Sequence, residues 1–72
     1  MPPDRTDDAT FITTIRSLDA AMIVAWMEAT YHYVPARIDT AFWRSVHRAR
    51  TRCTALTAEE RAHSQQFLRD TL

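Results

Sequence analysis

The chain has 72 residues, with nine basic and nine acidic side chains and a formal net charge of zero. This length predicts one domain, which can bury only about 60% of the surface that its unfolded chain exposes. The balanced charge gives no overall attraction to nucleic acid or to an anionic membrane, and a single cysteine excludes an internal disulfide.

The N-terminal residues are polar and proline-rich. Residues 1–5 are expected to form a flexible tail. The first helix should begin at Thr6 or Asp7, since either side chain can cap it. Phe11 and Ile15 belong to its apolar face, although the neighbouring threonines leave a short strand as the alternative.

Eight consecutive apolar residues, Ala20 to Met27, form the densest apolar stretch of the chain. Alanine and methionine favour a helix, and a bend near Ser17 is expected to separate it from the first helix. The run is too short to span a bilayer, which needs roughly 20 apolar residues. Because this helix has apolar side chains on all its sides, it needs contacts on several sides. The rest of the chain cannot supply all of them, so Ile23, Trp26 and Met27 are predicted to mediate self-association.

The second helix should end near Tyr33, because the residue before Pro35 avoids the α region. The rings of residues 31–33 are expected to form a lid over the bundle end, or alternatively an interface. Pro35 suits the first turn of a third helix, about residues 36–53, after a short loop. Its apolar side should face the second helix and comprises Ile38, Ala41, Phe42, Ser45, Val46, Ala49 and Cys53. Cys53 is expected to act as a small buried hydrophobe.

The other side of the third helix is the best candidate for a functional site. Between Tyr31 and Leu56 there are five arginines and one acid, Asp39. In one interpretation these arginines contact phosphates or an acidic protein surface, and a tryptophan inserts into the partner. In the other, the arginines are solvated and the tryptophan covers the core. The predicted partner-binding residues are Arg37, Trp43, Arg44, His47, Arg48, Arg50 and Arg52.

The fourth helix has the sharpest local signal. Thr57 and Glu60 match a capping box, in which each side chain accepts a hydrogen bond from the backbone N–H of the other residue. This predicts a helix from there to about Thr71. Its apolar residues are few, so it is expected to pack at the periphery.

Several kinds of chemistry are not expected. The histidines and Cys53 have no spacing that places two metal ligands on one helical turn, so no metal or cofactor is predicted. A helical bundle of this size rarely has room for a catalytic pocket, so an enzyme is not expected. A DNA-reading helix would contact bases through its N-terminal residues, whereas these arginines are concentrated in the C-terminal half of the third helix.

Together these patterns predict an all-α protein, a small bundle of three to four helices forming a single domain over residues 1–72. We expect a cytoplasmic location, because no secretory signal is visible and the lone cysteine fits a reducing compartment. The expected function is a non-enzymatic protein-protein interaction module, a small regulator or inhibitor that also self-associates. The alternative is a nucleic-acid-binding protein that uses the same arginines on phosphates.

Overall fold

The computed structural model describes residues 9–72, and helices are the only regular elements in that range. They are α1 (Ala9–Ser17), α2 (Ala20–Tyr31), α3 (Thr40–Arg52) and α4 (Ala58–Asp70). The prediction of an all-α bundle is confirmed, and the strand alternative for the first segment is wrong. The expected tail over residues 1–5 and the expected helix caps at Thr6 or Asp7 lie outside the described residues.

The predicted break between the first two helices is present. Leu18 has a positive φ of 52°, so the chain leaves the helical path directly after α1. Asp19 then caps α2, since its Oδ1 accepts a hydrogen bond from the Met22 backbone N–H at 3.2 Å. The Ser17 hydroxyl accepts a hydrogen bond from the Asp19 backbone N–H at 3.2 Å. Local polar bonds therefore fix the bend.

The connection between α2 and α3 is longer than predicted. His32 ends α2 in the left-handed conformation, with φ 56°, and its N–H donates to the Glu28 carbonyl. The Asp39 Oδ1 accepts from the Phe42 N–H at 3.1 Å, so α3 begins at Thr40. The expectation that Pro35 opens α3 is wrong, because the aspartate that can cap the helix stands four residues later. Residues 32–39 form a loop between the two helices.

The capping box at the start of α4 is confirmed. The Glu60 N–H donates to the Thr57 hydroxyl at 3.1 Å, and the Thr57 N–H donates to the Glu60 carboxylate at 2.9 Å. Both bonds satisfy backbone amides that a helix terminus leaves without a partner.

The buried apolar side chains form two clusters. Ile15, Cys53 and Leu56 make the first, which confirms that Cys53 is a core residue, with no exposed surface. Ile23, Phe42 and Val46 make the second, so α2 and α3 meet as predicted. The most extensive helix contact, however, joins α3 to α4. The last helix contributes no residue to either cluster, in keeping with the expected peripheral position, but it packs more closely on α3 than expected.

Candidate functional site

The predicted partner-binding residues on α3 divide into a group that contacts α4 and a group that does not. Arg44 belongs to the first group. Its Nη1 donates to the Leu68 carbonyl and to the Thr71 hydroxyl, both at 2.8 Å. These acceptors lie at the end of α4, where carbonyls lack helical partners and a cation is favourable. Arg44 therefore holds the C-terminal end of α4 against α3.

His47 also lies against α4. Only 4% of its surface is exposed, its Nδ1 is 3.0 Å from the Ser64 hydroxyl, and its ring stacks on Phe67 with centroids 4.1 Å apart. Burial, and then the nearby Arg50 and His63, lower the pKa of His47 below its usual value of 6.5. The prediction that His47 lies on an exposed face is wrong, because its ring fills the contact between two helices.

Arg50 is the least expected of the buried side chains. It is 3% exposed, and its Nε and Nη1 have no hydrogen-bond partner. Burial lowers the pKa of the Arg50 guanidinium, while the Glu60 carboxylate opposes that change and Arg16 adds to it. The predicted exposed position of Arg50 is therefore also wrong, and its charge is costly where it lies.

The carboxylate of Glu60 is bonded to residues other than Arg50. Its carboxylate accepts from the Arg16 Nε at 2.9 Å and from the Thr57 N–H. The Thr57 backbone amide first, and then the Arg16 side chain, lower the pKa of Glu60 from 4.5 to about 2. The contact between Arg16 and Glu60 is the sole ion pair within residues 9–72, and it joins α1 to α4.

Trp43 packs as the core-covering interpretation expects. It is half-buried, lies against the second cluster, and meets Phe42 edge-on with ring centroids 5.1 Å apart. The indole therefore packs in part against this protein's own core.

Three predicted residues remain free: Arg37, Arg48 and Arg52, which we call the basic edge. All three are exposed, and no hydrogen bond or ion pair to residues 9–72 involves their side chains. Residues three apart are neighbours on a helix, which places Arg48 beside Ser45 and Arg52 beside Ala49. Arg37 lies in the preceding loop and lines a cavity together with Ser45.

Two cavities with shared lining residues, which we call the groove, lie along α3, and Arg37 of the basic edge lines one of them. One, of about 400 Å³, lies between α3 and the loop over residues 32–39. The other, of about 360 Å³, lies between α1, α2 and α3. Both are lined by Met27, Phe42 and Ser45. The second cavity is also lined by Phe11, Thr14, Ile15, Ile23, Trp26, Tyr31, Val46 and Ala49.

Three small side chains of α3 are among the residues that line the two cavities. Ala41, Ser45 and Ala49 recur every four residues, so they lie above one another on the helix. Ala41 and Ser45 line the first cavity, and Ser45 and Ala49 line the second. Apolar periodicity places these residues on the apolar side of the third helix but does not reveal the gap. Their small size was the available signal.

The predicted self-association residues have different environments. Ile23 is only 3% exposed and packs on Phe42 and Val46, so the expectation that it needs a partner chain is wrong. Trp26 is half-buried, 5.3 Å from the Phe11 ring and 5.5 Å from the Tyr31 ring. Met27 lines both cavities of the groove. Trp26 and Met27 are thus groove residues.

The loop after α2 adds exposed apolar surface beside the groove. Tyr33 is 54% and Val34 55% exposed, and Ile38 is similarly open. Large apolar side chains exposed together often mark an interaction site. Within residues 9–72, no group of three or more potential ligands could hold a metal ion, and no helix has the length and apolar character that a bilayer span requires.

Comparisons with protein-family models, curated proteins and solved structures found no match to this chain. Function is therefore inferred from the residues and their geometry.

Proposed function

We propose that this protein is a non-enzymatic protein-protein interaction module, a small regulator or inhibitor that docks on a larger protein through the basic edge. The supporting observation is that Arg37, which is exposed, lines the cavity between α3 and the preceding loop, and that Arg48 and Arg52 are exposed on α3 without a side-chain hydrogen bond. Arginine beside apolar and aromatic surface is the combination that most often supplies binding energy at protein interfaces.

The proposed binding residues are fewer than the sequence pattern suggested. Arg37, Arg48 and Arg52 are available to a partner, whereas Arg44 is bonded to the end of α4. His47 is enclosed between α3 and α4, and Arg50 is buried. In this proposal Arg44 and His47 hold α4 in place, which keeps α3 rigid for docking.

Nucleic-acid binding through the same arginines is the competing function. It would use three separated cations on phosphates, but it would leave the adjacent apolar groove and the exposed Tyr33 and Val34 without a role. The groove is why we favour a protein partner. A cytoplasmic location forms part of the proposal and is supported by the free, buried Cys53.

The test is affinity capture from the native host with the full chain, compared with Arg48→Glu and Arg69→Glu. Arg69 is also exposed, but it lies on α4, so the two variants make the same charge change in different places. Recovery of one specific protein should fall about tenfold for Arg48→Glu and stay unchanged for Arg69→Glu.

Two results would contradict the proposal. One is equal loss of the captured protein in both variants, which would indicate a nonspecific effect of charge. The other is recovery of DNA or RNA alone, with retention that weakens steeply between about 50 and 200 mM salt. The second result would favour the nucleic-acid function.

A further inference from the structure

We propose that the groove binds a free fatty carboxylate, with its hydrocarbon chain in the cavity between α1, α2 and α3 and its carboxylate on Arg37. This inference goes beyond the proposed function and does not depend on it. It combines two observations, an apolar cavity among three helices and an arginine that lines the adjoining cavity. A protein partner that contacts the groove would compete with this ligand.

The cavity among the three helices lies between the two core clusters. Ile15 of the first cluster lines it, and so do all three buried residues of the second cluster. Protein interiors normally leave few voids larger than a water molecule, whereas this cavity has a volume of about 360 Å³. Small-molecule sites fall in the range of about 300–1,000 Å³. A ligand of that class would fill the space that keeps the two clusters apart.

The lining of this cavity suits a hydrocarbon chain. No charged side chain is among its described lining residues. The Thr14 hydroxyl is nearly buried and already donates to the Thr10 carbonyl at 2.7 Å. A ligand with polar groups along its length would lose their hydrogen bonds to water here. By contrast, each CH₂ group that leaves water should tighten binding about fourfold.

The cavity beside the loop supplies the site for the carboxylate. Both cavities are lined by Met27, Phe42 and Ser45, so a ligand can extend from one into the other. Arg37 lines the cavity beside the loop and is exposed. Its side chain has no hydrogen bond or ion pair to residues 9–72. Because a guanidinium binds a carboxylate through two parallel hydrogen bonds, a carboxylate is the head group that Arg37 fits.

Asp39 lines the same cavity but does not reverse this preference. Its carboxylate accepts a hydrogen bond from the Phe42 N–H at 3.1 Å and caps α3. The N-terminus of a helix has a partial positive charge, which offsets the charge of Asp39. Arg37 therefore determines the sign of the ligand's charge.

The experiment uses the full chain labelled with nitrogen-15, with decanoate as the probe. Decanoate should shift the Trp26 indole, Ser45 amide and Arg37 Nε signals saturably. It should also raise the Tm as its concentration increases, because it binds the folded state. Decanol has the same chain without the charge and should bind about fivefold more weakly. Acetate lacks the chain and should shift none of these signals at the same concentration.

Two pairs of variants test the two ends of the ligand. Arg37→Gln should weaken decanoate binding about fivefold and leave decanol binding unchanged, whereas Arg69→Gln on α4 should change neither. Ser45→Leu should block the junction of the two cavities and abolish the Trp26 shift, whereas Ser45→Ala should keep it. Circular dichroism checks that each variant is helical. Arg37 is exposed, so its variant tests the inference even if Ser45→Leu does not fold.

Several outcomes would overturn the inference. Equal decanoate binding by the native chain and Arg37→Gln would show that the arginine does not hold the head group. Absence of shifts, or shifts confined to residues outside the two cavities, would show that the groove is not the site. Shifts that require vesicles of anionic phospholipid and are absent with free decanoate would indicate contact with a membrane surface instead.

This test is separate from the test of the proposed function. Decanoate binding is measured on the isolated protein, and Arg48, whose replacement tests host capture, lines neither cavity. Loss of either result therefore leaves the other standing.

Discussion

Replacing the buried Arg50 with methionine should stabilise the protein. Methionine matches arginine in helix propensity and fills the space of its aliphatic stem, but it brings no charge into the interior. Two guanidinium nitrogens, Nε and Nη1, are buried without a hydrogen-bond partner in the native structure. The substitution removes both of them.

The expected gain follows from the cost of burying such groups. A buried donor without a partner costs about 1–3 kcal/mol, and Glu60 keeps its bonds to Arg16 and Thr57 when Arg50 is replaced. Arg50→Met should therefore raise the free energy of unfolding by about 1–3 kcal/mol. For a domain of this size, each kcal/mol raises the Tm by about 4–8 °C.

The assay is urea unfolding followed by helical circular dichroism, with Arg52→Met as the matched control. Arg52 is exposed on the same helix, so its replacement should change stability by no more than about 0.5 kcal/mol. If Arg50→Met instead lowers the free energy of unfolding by more than about 1 kcal/mol while the control does not, the guanidinium stabilises the fold and our reasoning is refuted.

Four further predictions concern titratable groups and helix ends. Stability should fall as the pH drops below 6.5, because the unfolded chain takes up a proton that buried His47 resists. The free energy of unfolding should fall by at most about 1.4 kcal/mol per pH unit. In urea titrations at several pH values, His47→Gln should flatten this slope, whereas the control His32→Asn should keep it. A second decline should follow as the pH falls from 4.5 to about 2, where the carboxylate of Glu60 is lost. His32→Gly should raise the thermal midpoint, because glycine adopts the left-handed conformation of residue 32 without the cost of about 1 kcal/mol that a non-glycine residue has there. A lower midpoint in the variant would show that this strain is not relieved. Thr57→Ala should cost about 1 kcal/mol in urea unfolding and Thr57→Ser should restore most of it; equal losses in both would show that the capping hydroxyl contributes little.

Local signals in the sequence predicted much of the fold. The capping box at Thr57 and the break after Ser17 depend on residues within a few positions of each other, so the sequence alone identified them. The start of α3 was misplaced because two local rules competed there. Pro35 is compatible with a helix start, but Asp39 supplies the acceptor that the first amides need.

The contact between α3 and α4 could not be predicted from apolar periodicity. It includes Ser64, which is fully buried, and His47 and Arg50, which are nearly so. Counting apolar residues therefore undervalued α4 and assigned polar side chains to the exposed surface. For the candidate site, Arg37, Arg48 and Arg52 were predicted at exposed positions and lie there. The groove depends on the distance between two helices, which the sequence does not specify.

The polar contact between α3 and α4 also implies an order in which parts of the molecule open. These two helices are joined by a short connection and held by directional bonds from Arg44 and His47, so they should open and close as one cooperative unit. By contrast, α2 faces the groove on one side, and its amide hydrogens should exchange with solvent sooner than those of α3. Any partner that binds against α2 would therefore slow exchange in α2 most.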